Sequence, residues 1–115
     1  MESFQVGMAP GELSVLQLGA ALAARLGVAA FCWVGPLPGT GIDAVGWRLI
    51  AAPRFLFSVS THAGDLPSGR YDLQVSVTDD TLDRGDIVFL DDVELAEVCA
   101  VAERFASGEV VVRFG

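Results

Sequence analysis

The chain has 115 residues and a formal net charge of −8, carried by fifteen acidic residues against seven arginines and no lysine. This balance disfavours nucleic acid and anionic membranes as direct ligands, since both reward dense positive charge, and it favours a basic protein partner. Hydrophobic residues make up 52% of the chain. We therefore expect one domain over residues 1–115, burying about two-thirds of its unfolded surface.

The start of the chain predicts a strand and then a helix. A short strand is expected at residues 3–6. Pro10 and Gly11 lead into a helix at residues 12–26, because proline suits the first helical turn and the glycine at position 27 suits the exit. The helix is amphipathic and is expected to cover one face of a sheet.

The mostly apolar stretch at residues 13–34 is about as long as a bilayer span. Arg25 and several uncharged polar residues interrupt it, and Gly27 offers a stop near its middle. A soluble helix followed by a largely buried strand at residues 28–34 is therefore favoured over a membrane segment. Glu2 stands where a signal peptide would carry basic residues.

The middle of the chain predicts an antiparallel meander. A loop rich in proline and glycine at residues 35–43 precedes strands at 45–51 and 55–61. Residues 70–78 then alternate without a break, with Tyr71, Leu73, Val75 and Val77 on one side and Arg70, Asp72, Gln74, Ser76 and Thr78 on the other. Such a strand belongs in an antiparallel sheet with one wet face, and we expect that face to meet a partner.

The end of the chain predicts a second helix and a last strand. Asp91 and Glu94 form a capping-box pattern that would open the helix, and Gly108 would close it. Residues 109–114 follow as a strand with Val110, Val112 and Phe114 on one face. The expected fold class is α+β, a curved antiparallel sheet of five to six strands with two helices packed on one face.

An acidic belt lies between residues 79 and 97, where only Arg84 opposes eight carboxylates: Asp79, Asp80, Asp83, Asp86, Asp91, Asp92, Glu94 and Glu97. A calcium loop does not fit, since Arg84 stands at the glycine position and Leu90 at the closing glutamate. The helix dipole accounts for the acids of the predicted helix start. The first four acids are left with two interpretations, a surface for a cationic partner or simple solubility.

His62 is expected in a turn at the end of the 55–61 strand. Ser58, Ser60 and Asp72 can gather around it, as a catalytic triad requires, but no nucleophile elbow occurs. No pair of His or Cys residues has metal-ligand spacing either. We expect a surface histidine and a protein that is not an enzyme and needs no metal or cofactor. The competing hypothesis is a small-ligand or enzymatic domain using the loops around His62 and Gly35.

Cys32 lies in an apolar run and Cys99 in a helical stretch, settings in which free cysteine behaves as a small buried hydrophobe. Two free thiols would indicate a reducing compartment and a cytoplasmic protein. The alternative is a Cys32–Cys99 bridge, which requires the two backbones to lie close together. Trp33 and Trp47 fall within strand alternation and are expected to fill the core.

Residues 91–96 (DDVELA), the closing residues 105–108 (FASG) and the last strand resemble the C-terminal helix and strand of the immunity proteins that neutralise deaminase-type toxins in bacteria. The resemblance implies a small acidic α+β protein that plugs the active site of a cognate toxin, and it carries over no catalytic residues. Residues 16–26 resemble the first helix of the small acidic chaperones of bacterial secretion systems, which usually dimerise.

The sequence thus predicts an acidic binding module, a monomer or homodimer, that neutralises a basic toxin or effector by docking. A dimeric chaperone and a small-ligand domain are the alternatives. The expected partner-binding residues are Asp79, Asp80, Asp83, Asp86, Asp72, Gln74, Ser58 and His62.

Overall fold

The computed structural model describes residues 11–35, 37–38, 44–62, 65–78 and 83–115, and of residues 83 and 84 it describes the main chain. The elements in chain order are α1 (Glu12–Leu26), β1 (Phe31–Val34), β2 (Ala44–Leu49), β3 (Phe55–Ser60), β4 (Arg70–Thr78), β5 (Asp83–Glu94), α2 (Leu95–Ala106) and β6 (Arg113–Phe114). The strand predicted at residues 3–6 lies outside the described residues.

Within the described ranges, the strands form one six-stranded sheet in the order in which they occur along the chain. Each of the first four strands pairs antiparallel with the next, whereas β6 pairs parallel with β5 because α2 carries the chain back across the sheet. The α+β class predicted from the sequence is confirmed, with the parallel pair making the sheet mixed. Neither described helix is long and apolar enough to cross a bilayer.

The core lies between the two helices and one face of the sheet. Alternate residues of the central strands are buried, as the period of two requires, and they meet the apolar stripes of both helices: Phe55, Phe57, Val59, Tyr71, Leu73 and Val75 from β3 and β4, Val15, Leu18 and Leu22 from α1, and Val98, Ala102 and Phe105 from α2. The ring of Trp47 stacks on Phe57 with centroids 5.3 Å apart. Trp47 is fully buried and Trp33 packs against the core, so both tryptophans are core residues as predicted.

Polar contacts anchor α1 to the rest of the fold. The buried Tyr71 hydroxyl donates a 2.5 Å hydrogen bond to the carbonyl oxygen of Ser14, and the Ser14 hydroxyl accepts one of 3.1 Å from the main-chain N–H of Gly69. Burial raises the pKa of Tyr71 to about 12. Arg25 of α1 donates two hydrogen bonds, of 2.7 and 3.1 Å, to the Glu103 carboxylate of α2. That contact is the main cause of the raised pKa of Arg25.

The predicted capping box at Asp91 and Glu94 is wrong. These residues extend β5, and α2 begins only at Leu95 with Glu94 as an N-cap that makes no side-chain capping bond. Pairing with β4 decides the outcome, since Arg70 lies opposite Glu94 in the register. The Arg70 guanidinium also donates to the Asp92 carboxylate at 2.6 Å and to the Asp92 carbonyl oxygen at 2.5 Å. The pairing of β5 with β4 and the charged contacts of Arg70 together stabilise the extended conformation more than one capping motif would stabilise an earlier helix start.

Two strands are shorter and more exposed than predicted. Only residues 31–34 of the predicted 28–34 strand are extended, and Cys32 is exposed, which corrects the buried position expected for it. Among the described residues, its strand pairs with β2 alone. The last strand shortens to Arg113–Phe114, and of the preceding valines only Val111 is buried, at 4% exposure.

Candidate functional site

The sheet face opposite α1 and α2 is the candidate functional surface, and we call it the open face. Directly opposed residues on neighbouring strands point to the same side of a sheet. One row of such partners crosses all six strands: Val34, Gly46, Ser58, Gln74, Phe89 and Phe114. A second row runs beside it through Cys32, Arg48, Leu56, Ser76 and Asp86. Apolar side chains therefore flank a small and polar centre.

A cleft of about 400 Å³ lies at the centre of the open face. Its floor is made of residues with small or no side chains: Ala44, Gly46, Ser58 and Ser60. Val34, Leu56 and Phe89 also line it. A Cβ atom at Gly46 would stand 3.1 Å from the carbonyl oxygen of Phe57, so close strand packing keeps this position free of a side chain.

One end of the cleft is formed by His62 and Asp72, whose side chains are paired through Nε2 and Oδ2. His62 has a left-handed backbone, with φ of 54°. Its main-chain N–H donates a 3.0 Å hydrogen bond to the hydroxyl oxygen of Ser60. The other Asp72 oxygen, Oδ1, accepts a 2.8 Å hydrogen bond from the main-chain N–H of Asp92. The carboxylate is thus fixed from two sides while its side chain stays 24% exposed.

Asp86 is the second ordered carboxylate of the open face. The Gln74 amide nitrogen lies 2.9 Å from each Asp86 oxygen, and the Ser76 hydroxyl donates to Oδ1 at 2.7 Å. These donors hold the side chain in place without neutralising it. Asp86 therefore contributes a fixed negative charge beside the cleft.

The acidic belt does not stay together as one surface in the described residues. Asp92 and Glu94 pair with Arg70, and Glu97 pairs with Arg113, so arginines distant in sequence compensate three of its members. Asp79 and Asp80 lie outside the described residues, and so does the side chain of Asp83. Of the four acids left unexplained by the helix dipole, Asp86 alone can be placed, and it lies on the open face.

The structure gathers most of the remaining predicted site residues. Ser58, His62, Asp72 and Gln74 all line the one cleft. Two of the residues that were considered for a triad contact His62 in the structure. Asp72 pairs with its ring and also accepts a hydrogen bond from the main-chain N–H of Asp92, whereas the Ser60 hydroxyl accepts one from the main-chain N–H of His62. Among the described residues, no group of three His, Cys, Asp or Glu side chains is arranged to hold a metal ion.

Sequence reasoning missed the apolar part of the site. Phe89 and Phe114 are register partners on the open face with exposures of 43% and 66%, and Val34, at 37%, lies across the cleft. Residues 87–90 are four apolar residues in a row, so the sequence does not show which of them face water; in β5, Phe89 points outward between the buried Val88 and Leu90. The row of partners across the open face can be recognised only when it is known which strands are neighbours.

Comparisons with known proteins identify no relative. No protein-family model matches the chain, and neither a curated protein nor a solved structure shows significant similarity to it. The open face and its cleft are therefore the features of the molecule that bear on its function.

Proposed function

We propose that this chain is an acidic protein-binding module whose open face docks onto a positively charged partner. The observation that carries the proposal is the composition of that face. Exposed aromatic and aliphatic residues on both sides of a cleft are combined with two ordered carboxylates, Asp72 and Asp86. Surfaces that bind proteins are enriched in aromatic side chains at their centre and carry polar groups around them.

The two phenylalanines support a macromolecular partner. Phe89 and Phe114 are neighbours across the β5–β6 pair, and 43% and 66% of their respective surfaces are exposed. Fully burying an exposed phenylalanine side chain contributes roughly 1.5–3 kcal/mol, so the exposed part of each ring forgoes a corresponding fraction of that free energy. Contiguous exposed apolar groups of this kind mark interaction surfaces more often than isolated ones do.

The charge of the chain indicates the chemistry of the partner. The formal charge of −8 attracts a cationic surface from a distance. Association with such a partner is steered by this field and weakens with salt, because the Debye length shortens from about 30 Å at 0.01 M to about 8 Å at 0.15 M ionic strength.

Within protein-binding modules we propose the immunity class, in which the chain neutralises a cognate bacterial toxin by covering its basic active-site surface. The support is the small acidic α+β fold and a surface suited to docking, together with the sequence resemblance at residues 91–96 and 105–108, of which residues 91–94 extend β5 instead of opening α2. Neutralisation of this kind requires shape and charge complementarity alone. A reducing, cytoplasmic compartment suits such a protein and its two free thiols.

The neighbouring genes provide the test of this assignment. Each flanking gene is expressed in a bacterial host with and without this chain, and growth is followed. We expect one product to arrest growth, the chain to restore it, and calorimetry to show a complex of the two purified proteins whose affinity falls with salt. If no flanking product is both toxic and bound by the chain, the immunity assignment is wrong.

The cleft favours one second candidate, a small-ligand domain, because its volume lies within the range of ligand pockets. His62→Ala separates the two functions. A docking module tolerates this change with little loss of partner affinity, since the interface is distributed. A ligand-binding or catalytic site organised around His62 and Asp72 loses its function.

A further inference from the structure

We propose that the cleft receives one basic side chain, lysine or arginine, that projects from the partner. This inference rests on the proposed docking function and names the anchor that the open face recognises. The aliphatic stem would lie on the small residues of the floor, and the cationic head would reach Asp72. Shape, charge and free hydrogen-bonding capacity each support this occupant.

The shape of the cleft suits a long and narrow side chain. The floor residue Ser58 and the terminal residue Ser60 are two positions apart on β3, a spacing of roughly 6.7 Å along a strand. That distance is comparable with an extended lysine or arginine side chain. Val34 and Phe89 each lie two strands from Ser58 in the same row, and both line the cleft with Leu56, so methylene groups would contact apolar surface there.

The charge lies where the head of such a side chain would arrive. Ser60 is the register partner of Asp72, whose carboxylate is fixed by the Asp92 N–H and by His62. A carboxylate oxygen accepts more than one hydrogen bond, so these contacts leave acceptor capacity for a cation. Because the group is held in place, it needs little reordering on binding.

Gln74 supplies a second acceptor beside Asp72. Its amide nitrogen is directed to the two oxygens of Asp86, which orients the amide. No donor among the described residues bonds its Oε1 atom. An ammonium or guanidinium group needs several acceptors, and a carboxylate with a neighbouring amide oxygen provides them. A purely aliphatic side chain would leave these acceptors without donors.

The test uses three capped amino acids as probes: the Nα-acetyl methylamides of lysine, arginine and norleucine. Norleucine has a stem similar to that of lysine without the charge. Main-chain amide resonances of the full chain are followed by NMR during titration with each probe. We expect saturable shifts confined to the cleft residues for lysine or arginine, with an affinity roughly tenfold above that of norleucine.

Matched variants locate the binding. Ala44 lines the cleft as the register partner of Ser60, whereas Ala24 is exposed on α1. Ala44→Leu should abolish the shifts and Ala24→Leu should leave them unchanged, with circular dichroism confirming that both variants fold. Asp72→Asn, which keeps an acceptor for the Asp92 N–H, should weaken the cationic probes to the level of norleucine.

Two results overturn the anchor: equal affinities for lysine, arginine and norleucine in the unmodified chain, or undiminished binding by Ala44→Leu. The first result needs no variant and so does not depend on any variant folding. Failure of the anchor is distinguishable from failure of the docking function. A flanking toxin that binds Ala44→Leu as tightly as the unmodified chain removes the anchor and leaves the docking function standing.

Discussion

Asp72 holds the main chain of Asp92 in a left-handed conformation, by accepting its N–H at 2.8 Å from across the β4–β5 pair. The register slips at this point, so that Asp91 and Asp92 together face Asp72. This is the arrangement of a β-bulge, in which two residues of one strand oppose one of the other. The bulge fixes the carboxylate that closes one end of the cleft.

Substitutions at Asp92 test this bulge. With φ of 54°, alanine at this position incurs a left-handed penalty of about 1 kcal/mol that glycine avoids. Asp92→Ala and Asp92→Gly both lose the contact of the side chain with Arg70, so the difference between them isolates the backbone. We expect Asp92→Gly to be the more stable of the two by urea denaturation. Equal stability, or a more stable alanine variant, would contradict a left-handed residue here.

The single tyrosine provides a pH test of the α1 anchor. Burial raises the pKa of Tyr71 from 10.0 to about 12. Between these values the unfolded chain has released the phenolic proton and the native chain retains it. The free energy of unfolding therefore falls, by up to about 1.4 kcal/mol per pH unit, as the pH rises from 10 to 12. The ultraviolet absorbance of tyrosinate should show a native midpoint near 12.

Tyr71→Phe is the control for that titration. It removes the hydrogen bond to the Ser14 carbonyl and should cost about 1 kcal/mol at neutral pH. The free energy of unfolding of the variant should also fall less between pH 10 and 12, because no phenol remains to ionise. A native titration midpoint near 10, like that of the denatured chain, would show that the hydroxyl is not buried.

The two cysteines should react at very different rates. Cys32 is exposed and belongs to the open face, whereas Cys99 is buried and its pKa is raised by that burial. A thiol-reactive disulfide reagent should modify one thiol rapidly in the native chain and the second only on unfolding. Cys32→Ser should remove the fast phase. Rapid reaction of both thiols would mean that Cys99 on α2 is accessible to solvent in the native chain.

The exposed phenylalanine beside the cleft should contribute to binding more than to stability. Phe89→Ala removes an apolar contact of the docking surface and should weaken the partner complex by about tenfold or more, while changing the unfolding midpoint little. Leu13→Ala, an exposed apolar position on α1 at 52%, is the matched control and should leave the affinity unchanged. Equal effects of the two substitutions would remove Phe89 from the interface.

The elements with strong local patterns were predictable from the sequence. The bounds of α1 and β4 match the prediction, because Gly27 ends the helix and residues 70–78 alternate without interruption. Alternation along residues 55–61 likewise places Phe55, Phe57, Val59 and Thr61 on one side, and all four are buried. In these segments burial and local propensity favour the same structure.

The extension of β5 and the apolar part of the site could not be predicted from local pattern. Asp91 and Glu94 have the spacing of a capping box, and only pairing with β4 shows that they are extended. The polar residues Asp72 and Gln74 followed from alternation within one strand. The placement of Phe89 and Phe114 on the open face required knowledge of which strands are neighbours and in which register they pair, and this information is long-range.

The most direct test of the account is the affinity of the growth-arresting partner for two matched arginine variants. Gln74 lies at the centre of the open face, and Gln17 is exposed on α1. Gln74→Arg adds bulk and positive charge to the proposed docking surface and should weaken the complex by about a hundredfold, whereas Gln17→Arg should change it less than threefold, within the usual range for a peripheral charge. Equal affinities for the two variants would contradict docking through the open face.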